Sequence, residues 1–179
     1  VWYYKGKVRD GILGLKFRYR VDYALPLGRS VAMKVLRERG TGFDAVTWAP
    51  VSALRRFCRG YDQSQLLART VGKELGIPVL GICYGMQLMM QLLGGSCRRA
   101  EAREYGKTEL THIDGSPLFE NVDKTAVYWM SHGVEVAQLA GGFHICASSE
   151  NCRHAAVENV EKRLYGVQFH PEVLHTVFG

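Results

Sequence analysis

The stretch Pro78-Val79-Leu80-Gly81-Ile82-Cys83-Tyr84-Gly85-Met86-Gln87 decides how the chain is organised. Val79 to Ile82 is a short apolar run with β-branched residues, which predicts a buried strand, and the residues after it predict a helix to about Leu93. Cys83 then falls at a strand-to-helix turn, flanked by Gly81 and Gly85 in the spacing G-x-C-x-G. Small neighbours let the backbone turn sharply and expose a nucleophile. The turn also sets the sulfur at a helix N-terminus, where free N–H groups and the positive end of the helix dipole favour thiolate over thiol. A buried core cysteine is the other reading of the same residues.

A second stretch, Tyr165-Gly166-Val167-Gln168-Phe169-His170-Pro171-Glu172, weighs against that other reading. Its apolar alternation predicts a strand over 164–169. Pro171 favours extended backbone at His170, so His170 and Glu172, two apart, point to the same side. A thiol, an imidazole and a carboxylate able to orient the imidazole are the parts of a Cys-His-Glu relay. Cys83 Sγ is expected within hydrogen-bonding reach of one His170 nitrogen, with Glu172 on the other. A surface His-Pro-Glu at a strand end is the plainer alternative.

With both stretches in hand, the chain from about residue 78 to 179 resembles the class I glutamine amidotransferases, and within them the amidotransferase domain of GMP synthetases. Arg103-Glu104-Tyr105-Gly106, Trp129-Met130-Ser131-His132-Gly133, Ser149-Glu150-Asn151-Cys152 and Glu172-Val173-Leu174-His175-Thr176 carry that narrower likeness in the family's order. The resemblance implies an open, mostly parallel three-layer α/β sheet of flavodoxin-like kind. It implies Cys83, His170 and Glu172 as the catalytic set. Gly81 and Gly85 shape the elbow, and the Tyr84 backbone N–H is an oxyanion donor. Gln87, Ser131 and His132 lie beside the glutamine. No metal and no cofactor serve the glutaminase step; ATP and Mg²⁺ enter only through an ATP-pyrophosphatase (synthetase) domain, which is not in this sequence, so the chain supplies at most the ammonia half of the reaction. The family's second oxyanion donor comes from a Gly-Gly-Pro turn upstream of the elbow. Here Ala49-Pro50-Val51-Ser52 stands in that place. Val134 stands where these synthetases carry a polar residue.

At 179 residues the chain suits one α/β domain and is too short for two full-sized ones. With 47% hydrophobic and 22% charged residues it is of globular, soluble composition, and no apolar run is long enough to span a membrane. The start, Val1-Trp2-Tyr3-Tyr4, has no signal-peptide pattern and no initiating Met, which suggests a fragment. Five cysteines without metal-ligand spacing fit a reducing cytoplasm. The net charge of +6 is uneven: residues 1–78 hold 15 Lys/Arg against 6 Asp/Glu, and residues 79–179 hold 8 against 11. Such a shift marks a boundary between segments. Basic clusters such as Arg55, Arg56 and Arg59 are expected to form a solvated face, and no nucleic-acid partner is expected, because no recognisable module of stacking aromatics accompanies them.

In the first 77 residues, helices are predicted over 8–18 and 28–39, a strand over 43–49, and a helix over 63–75 with Asp62 as its N-cap and Gly76 as its stop. Residues 43–82 then form a β-α-β unit with parallel strands. Lys5-Gly6-Lys7-Val8-Arg9 and Arg55-Arg56-Phe57-Cys58-Arg59-Gly60-Tyr61-Asp62-Gln63-Ser64-Gln65-Leu66-Leu67-Ala68 resemble the ComF family of phosphoribosyltransferase-like proteins. The acidic pair and Thr/Gly-rich loop with which such proteins hold phosphoribosyl pyrophosphate do not occur. The expected organisation is a ComF-like segment, 1–77, and an amidotransferase segment, 78–179, both incomplete, joined near 76–79 and packed as one composite domain. A ComF-like protein and a catalytically inactive hybrid are the alternative functions. After the elbow, strands are predicted at 98–103, 107–112, 126–130, 143–148, 154–158 and 164–169, with Ser131-His132 in a loop. Cys97, Cys146 and Cys152 are expected as small core residues.

Overall fold

The structure, a computed structural model, describes residues 4–40, 42–51, 58–112 and 115–176. The chain divides into two compact units, Val1–Val79 and Leu80–Gly179.

The first unit is mainly helical. Helix α1 (Gly6–Phe17) and helix α2 (Ala24–Arg39) each begin before their predicted starts, α2 by a full turn. Helix α3 (Gln63–Leu75) has the bounds its caps dictate. Asp62 accepts from the backbone N–H groups of Ser64 and Gln65 at 2.8 and 3.1 Å, satisfying two of the helix's free donors. Gly76 ends the helix in the left-handed region at φ +67°. Asp62 also accepts from the Val51 N–H at 3.0 Å, which explains why a cap residue is almost wholly buried. The expected strand 43–49 reduces to one parallel bridge, Val46 to Val79, with the Val46 N–H donating to the Pro78 carbonyl at 2.8 Å. Phe43, Asp44 and Ala45 are exposed, so there is little buried surface to extend the ladder. Ser52, Arg55, Arg56 and Phe57 lie outside the described residues. Nothing in these elements shows the phosphoribosyltransferase-like segment expected for residues 1–77.

Six strands form one sheet in the order β1-β6-β5-β4-β2-β3: β1 (Val79–Ile82), β2 (Ser96–His112), β3 (Thr125–Gln138), β4 (His144–Ser148), β5 (Ala156–Asn159) and β6 (Leu164–Val167). Helix α4 (Tyr84–Leu92) follows β1 directly. The expectation of a mostly parallel sheet is corrected here, because β2 pairs antiparallel with β3 and β4, β4 with β5, and β5 with β6. A parallel neighbour needs a crossover, usually a helix, and among the described residues no α-helix follows α4. The two strands predicted at 98–103 and 107–112 are one, β2, whose register with β3 breaks between Arg99 and Glu104. The core of this unit joins Leu110, Tyr128, Met130, Ala156, Val167 and Phe169, with Leu80 and Ile82 packed against it.

Candidate active site

The site grows from the turn between β1 and α4. Cys83 is the N-cap of α4 at φ +48°, ψ −109°, a left-handed conformation that L-residues other than glycine rarely hold. Its N–H donates to the Val167 carbonyl at 2.7 Å, tying the elbow to β6. Gly81 permits the turn: a Cβ there would lie 2.8 Å from the Met86 N and 2.9 Å from the Gly85 carbonyl carbon. Gly166 does the same from β6, since a Cβ on it would meet Met86 Cγ at 2.5 Å. The glycines thus bring the helix start onto both strands, with Tyr84 and Gly85 opening α4.

The sulfur is half-buried among mixed influences. Burial pushes the Cys83 thiol above its ordinary value, and the Glu172 charge pushes the same way; a hydrogen bond from the Tyr84 backbone N–H and one from the Gln168 side chain pull it down. Desolvation thus works against the preference for thiolate expected at a helix start.

His170 is held more firmly. Its N–H donates to the Trp129 carbonyl at 2.9 Å, and its own carbonyl accepts from Thr176 Oγ1 at 2.7 Å. The same hydroxyl accepts from the Trp129 N–H at 3.2 Å. One buried threonine thereby fixes the segment on both sides. His170 Nδ1 lies 2.8 Å from Glu172 Oε1, as the two-residue spacing requires. With Glu172 accepting from Nδ1–H, Nε2 carries the lone pair a general base needs. Among the described hydrogen bonds, the partner of Cys83 Sγ is Gln168, whose Nε2 lies 3.5 Å away.

Gln87 is buried. Its Nε2 donates to the Val134 carbonyl at 2.8 Å and to Gln168 Oε1 at 3.0 Å, so its amide nitrogen is fully engaged by the protein itself. Ser131 and His132, expected in a loop, lie inside β3 opposite Tyr105 and Glu104, because β2 continues beside them. Ser131 is exposed; His132 is buried with Nε2 3.1 Å from Glu104 Oε2. Among the described residues, Glu104, His132 and Cys152 are the one group of metal-ligating types with donor atoms within 4.8 Å of one another. Glu104 is already bonded by His132 and by Ser149 Oγ at 2.8 Å, and the Cys152 N–H donates to the same Ser149 hydroxyl at 2.9 Å, so Ser149 ties the segment between β4 and β5 to the Glu104–His132 pair of β2 and β3, while burial raises the Cys152 thiol to about 12. Sequence reasoning missed Gln168 and Thr176. The signal for Gln168 was a polar residue between Val167 and Phe169, both apolar and buried.

Comparisons with known proteins bear on these residues. The family described as "Glutamine amidotransferase class-I" matches residues 59–179, a span that takes in α3 as well as the whole site. A protein of Acetivibrio thermocellus named GMP synthase (glutamine-hydrolyzing) is 58% identical over 106 residues, covering 59% of this chain and 21% of that protein. One of the same name from Agathobacter rectalis is 55% identical over 119 residues, covering 66% of this chain and 23% of its own. The match thus spans about a fifth of the length of these curated relatives. The crystal structure of a glutamine amidotransferase from Thermotoga maritima is alike in fold, with a TM-score of 0.58 at 21% identity over 73% of this chain and 57% of that one.

Proposed function

The chain belongs to the class I glutamine amidotransferases, and from that premise we propose that it hydrolyses the side-chain amide of glutamine to glutamate and ammonia, the ammonia serving to aminate XMP to GMP. The observation that carries the chemistry is Cys83 held at a strained elbow in the same compact unit as a His170–Glu172 pair 2.8 Å apart. The relatives named GMP synthase (glutamine-hydrolyzing) support the choice of acceptor.

The reaction follows from the groups in place. Cys83 Sγ attacks the amide carbon, and the thiol proton passes through His170 Nε2 to the departing nitrogen, which leaves as ammonia. Glu172 keeps the tautomer and steadies the imidazolium. The Tyr84 N–H faces the developing oxyanion, a kind of donor typically worth about 3–4 kcal/mol in the transition state. Water, deprotonated by His170, then cleaves the glutamyl thioester to glutamate and restores the thiol. Activation of XMP with ATP and Mg²⁺ falls to a synthetase domain outside these 179 residues. The free thiols support a reducing, cytoplasmic setting. The likeness of residues 3–77 to the ComF family rests on the motifs quoted above, and no phosphoribosyl chemistry is assigned to them.

A diazoketone analogue of glutamine tests the reading. It should add one equivalent of mass at Cys83, compete with glutamine, and leave Cys83→Ala untouched. Absence of labelling at Cys83, with no ammonia released from glutamine, would overturn it.

A further inference from the structure

The extension of β6 presents alternate residues to α4. Gly166 lies against Met86, Gln168 lies against Gln87 and Cys83, and His170 follows at the same two-residue interval. Val167 and Phe169, in between, face the core. A wholly buried glutamine on the site face of this segment needs partners for both ends of its amide, and it has them.

Donor and acceptor accounting fixes which end faces which partner. The Val134 carbonyl can only accept, so Gln87 must turn its NH₂ toward it. The second hydrogen of that NH₂ then points to Gln168, which must answer with its carbonyl oxygen at 3.0 Å. The Gln168 NH₂ is left facing Cys83 Sγ at 3.5 Å. A donor, and not an acceptor, is thereby aimed at the sulfur by a chain of hydrogen bonds that begins on a main-chain oxygen. Because it begins on the main chain, the side chain at Val134 is immaterial to it.

We propose that Gln168 is a further catalytic group, its side-chain N–H donating to Cys83 Sγ and steadying the negative charge the sulfur carries when it attacks and when it leaves, with Gln87 as the positioning residue that holds the Gln168 amide in the donor orientation. The proposal rests on Cys83 being the nucleophile. It gives the half-buried sulfur a second donor beside the Tyr84 N–H, opposing the desolvation that otherwise favours the protonated thiol. His170 and Glu172 are the other ionisable groups of the site.

The test is the pH–rate profile of iodoacetamide alkylation at Cys83 in the full chain, read by peptide mass because the chain has five cysteines. Gln168→Leu should move the midpoint upward, with alkylation at pH 7 slowed roughly tenfold. Gln168→Glu keeps the acceptor for Gln87 but sets a carboxylate against the sulfur, so its midpoint should move further. Gln87→Met should shift it in the same direction by less. Parental midpoints in both Gln168 variants would overturn the proposal. If Gln168→Leu does not fold, the near-isosteric Gln168→Glu decides. Failure of the parent chain to take the diazoketone would sink the amidotransferase reading instead, while the iodoacetamide profile would still answer for Gln168.

Discussion

Thr176 Oγ1 donates to the His170 carbonyl at 2.7 Å while accepting from the Trp129 N–H at 3.2 Å, so one hydroxyl sets the backbone on which the general base stands. Thr176→Val keeps the shape and removes both bonds. Stability should fall by about 1–2 kcal/mol, and glutaminase turnover should fall about tenfold or more as His170 loses its aim. A melt combined with steady-state ammonia release checks it; unchanged turnover would show that the Trp129 contact alone positions the imidazole.

Backbone strain at Cys83 sets the thiol's function against stability. Both Cys83→Ala and Cys83→Gly should abolish thioester formation. Glycine accepts φ +48° without the penalty of about 1–3 kcal/mol that such conformations carry. Cys83→Gly should therefore be at least as stable as Cys83→Ala in urea unfolding, the reverse of the order expected within a helix.

The two glycines against Met86 should behave differently. A Cβ on Gly166 meets only side-chain atoms of Met86, whereas one on Gly81 meets the backbone of Gly85 and Met86. Each single change to alanine should cost about 1–3 kcal/mol by overpacking. Met86→Ala should recover much of the loss in Gly166→Ala and little of that in Gly81→Ala. A double-mutant cycle with equal coupling for the two would refute the difference.

Alkaline pH should weaken the second unit. Burial raises the thiols of Cys146 and Cys152 from 9.0 to about 12 in the folded state. The unfolded chain thus releases protons at lower pH than the folded one, so this contribution is full below about pH 9 and is lost as pH rises toward about 12. Urea midpoints measured from pH 8 to 11 should fall, and Cys146→Ala with Cys152→Ala should flatten that fall even if it lowers the plateau.

Glutamine turnover itself should be modest. The Tyr84 N–H is the donor that follows the nucleophile, while the sequence carries Ala49-Pro50-Val51-Ser52 in place of the Gly-Gly-Pro turn expected to supply the second, and Pro50 has no N–H. Loss of one oxyanion donor typically costs about 10²–10³-fold in turnover. Ammonia release compared with that of an intact GMP synthase amidotransferase domain measures this, and equal rates would mean that another donor is in place.

What the sequence made legible was local. The elbow, the His-Pro-Glu spacing, the caps of α3 and the presence of strands near 98–112, 126–130, 143–148 and 164–169 follow from residues close together in the chain. Strand direction did not, because pairing joins residues far apart, such as Glu104 with His132, and no local pattern records it. The same reason hid the role of Ser131 and His132, which the continued β2 ladder holds inside β3. Burial of a polar side chain is likewise a tertiary fact. Gln168 differs from a surface glutamine only by what closes over it, although its place between Val167 and Phe169 gave a hint.

The sheet order has a consequence for the moment at which this protein becomes reactive during synthesis. β1 is first in the chain and β6 last among the described strands, yet they are neighbours, and the Cys83 N–H rests on the Val167 carbonyl. A ribosome must therefore release more than eighty residues after the thiol before Gln168 and His170 can reach it. Until then the nascent chain carries a cysteine with neither the Gln168 donor nor a base, and chemistry begins only when its closing strand docks beside the opening one.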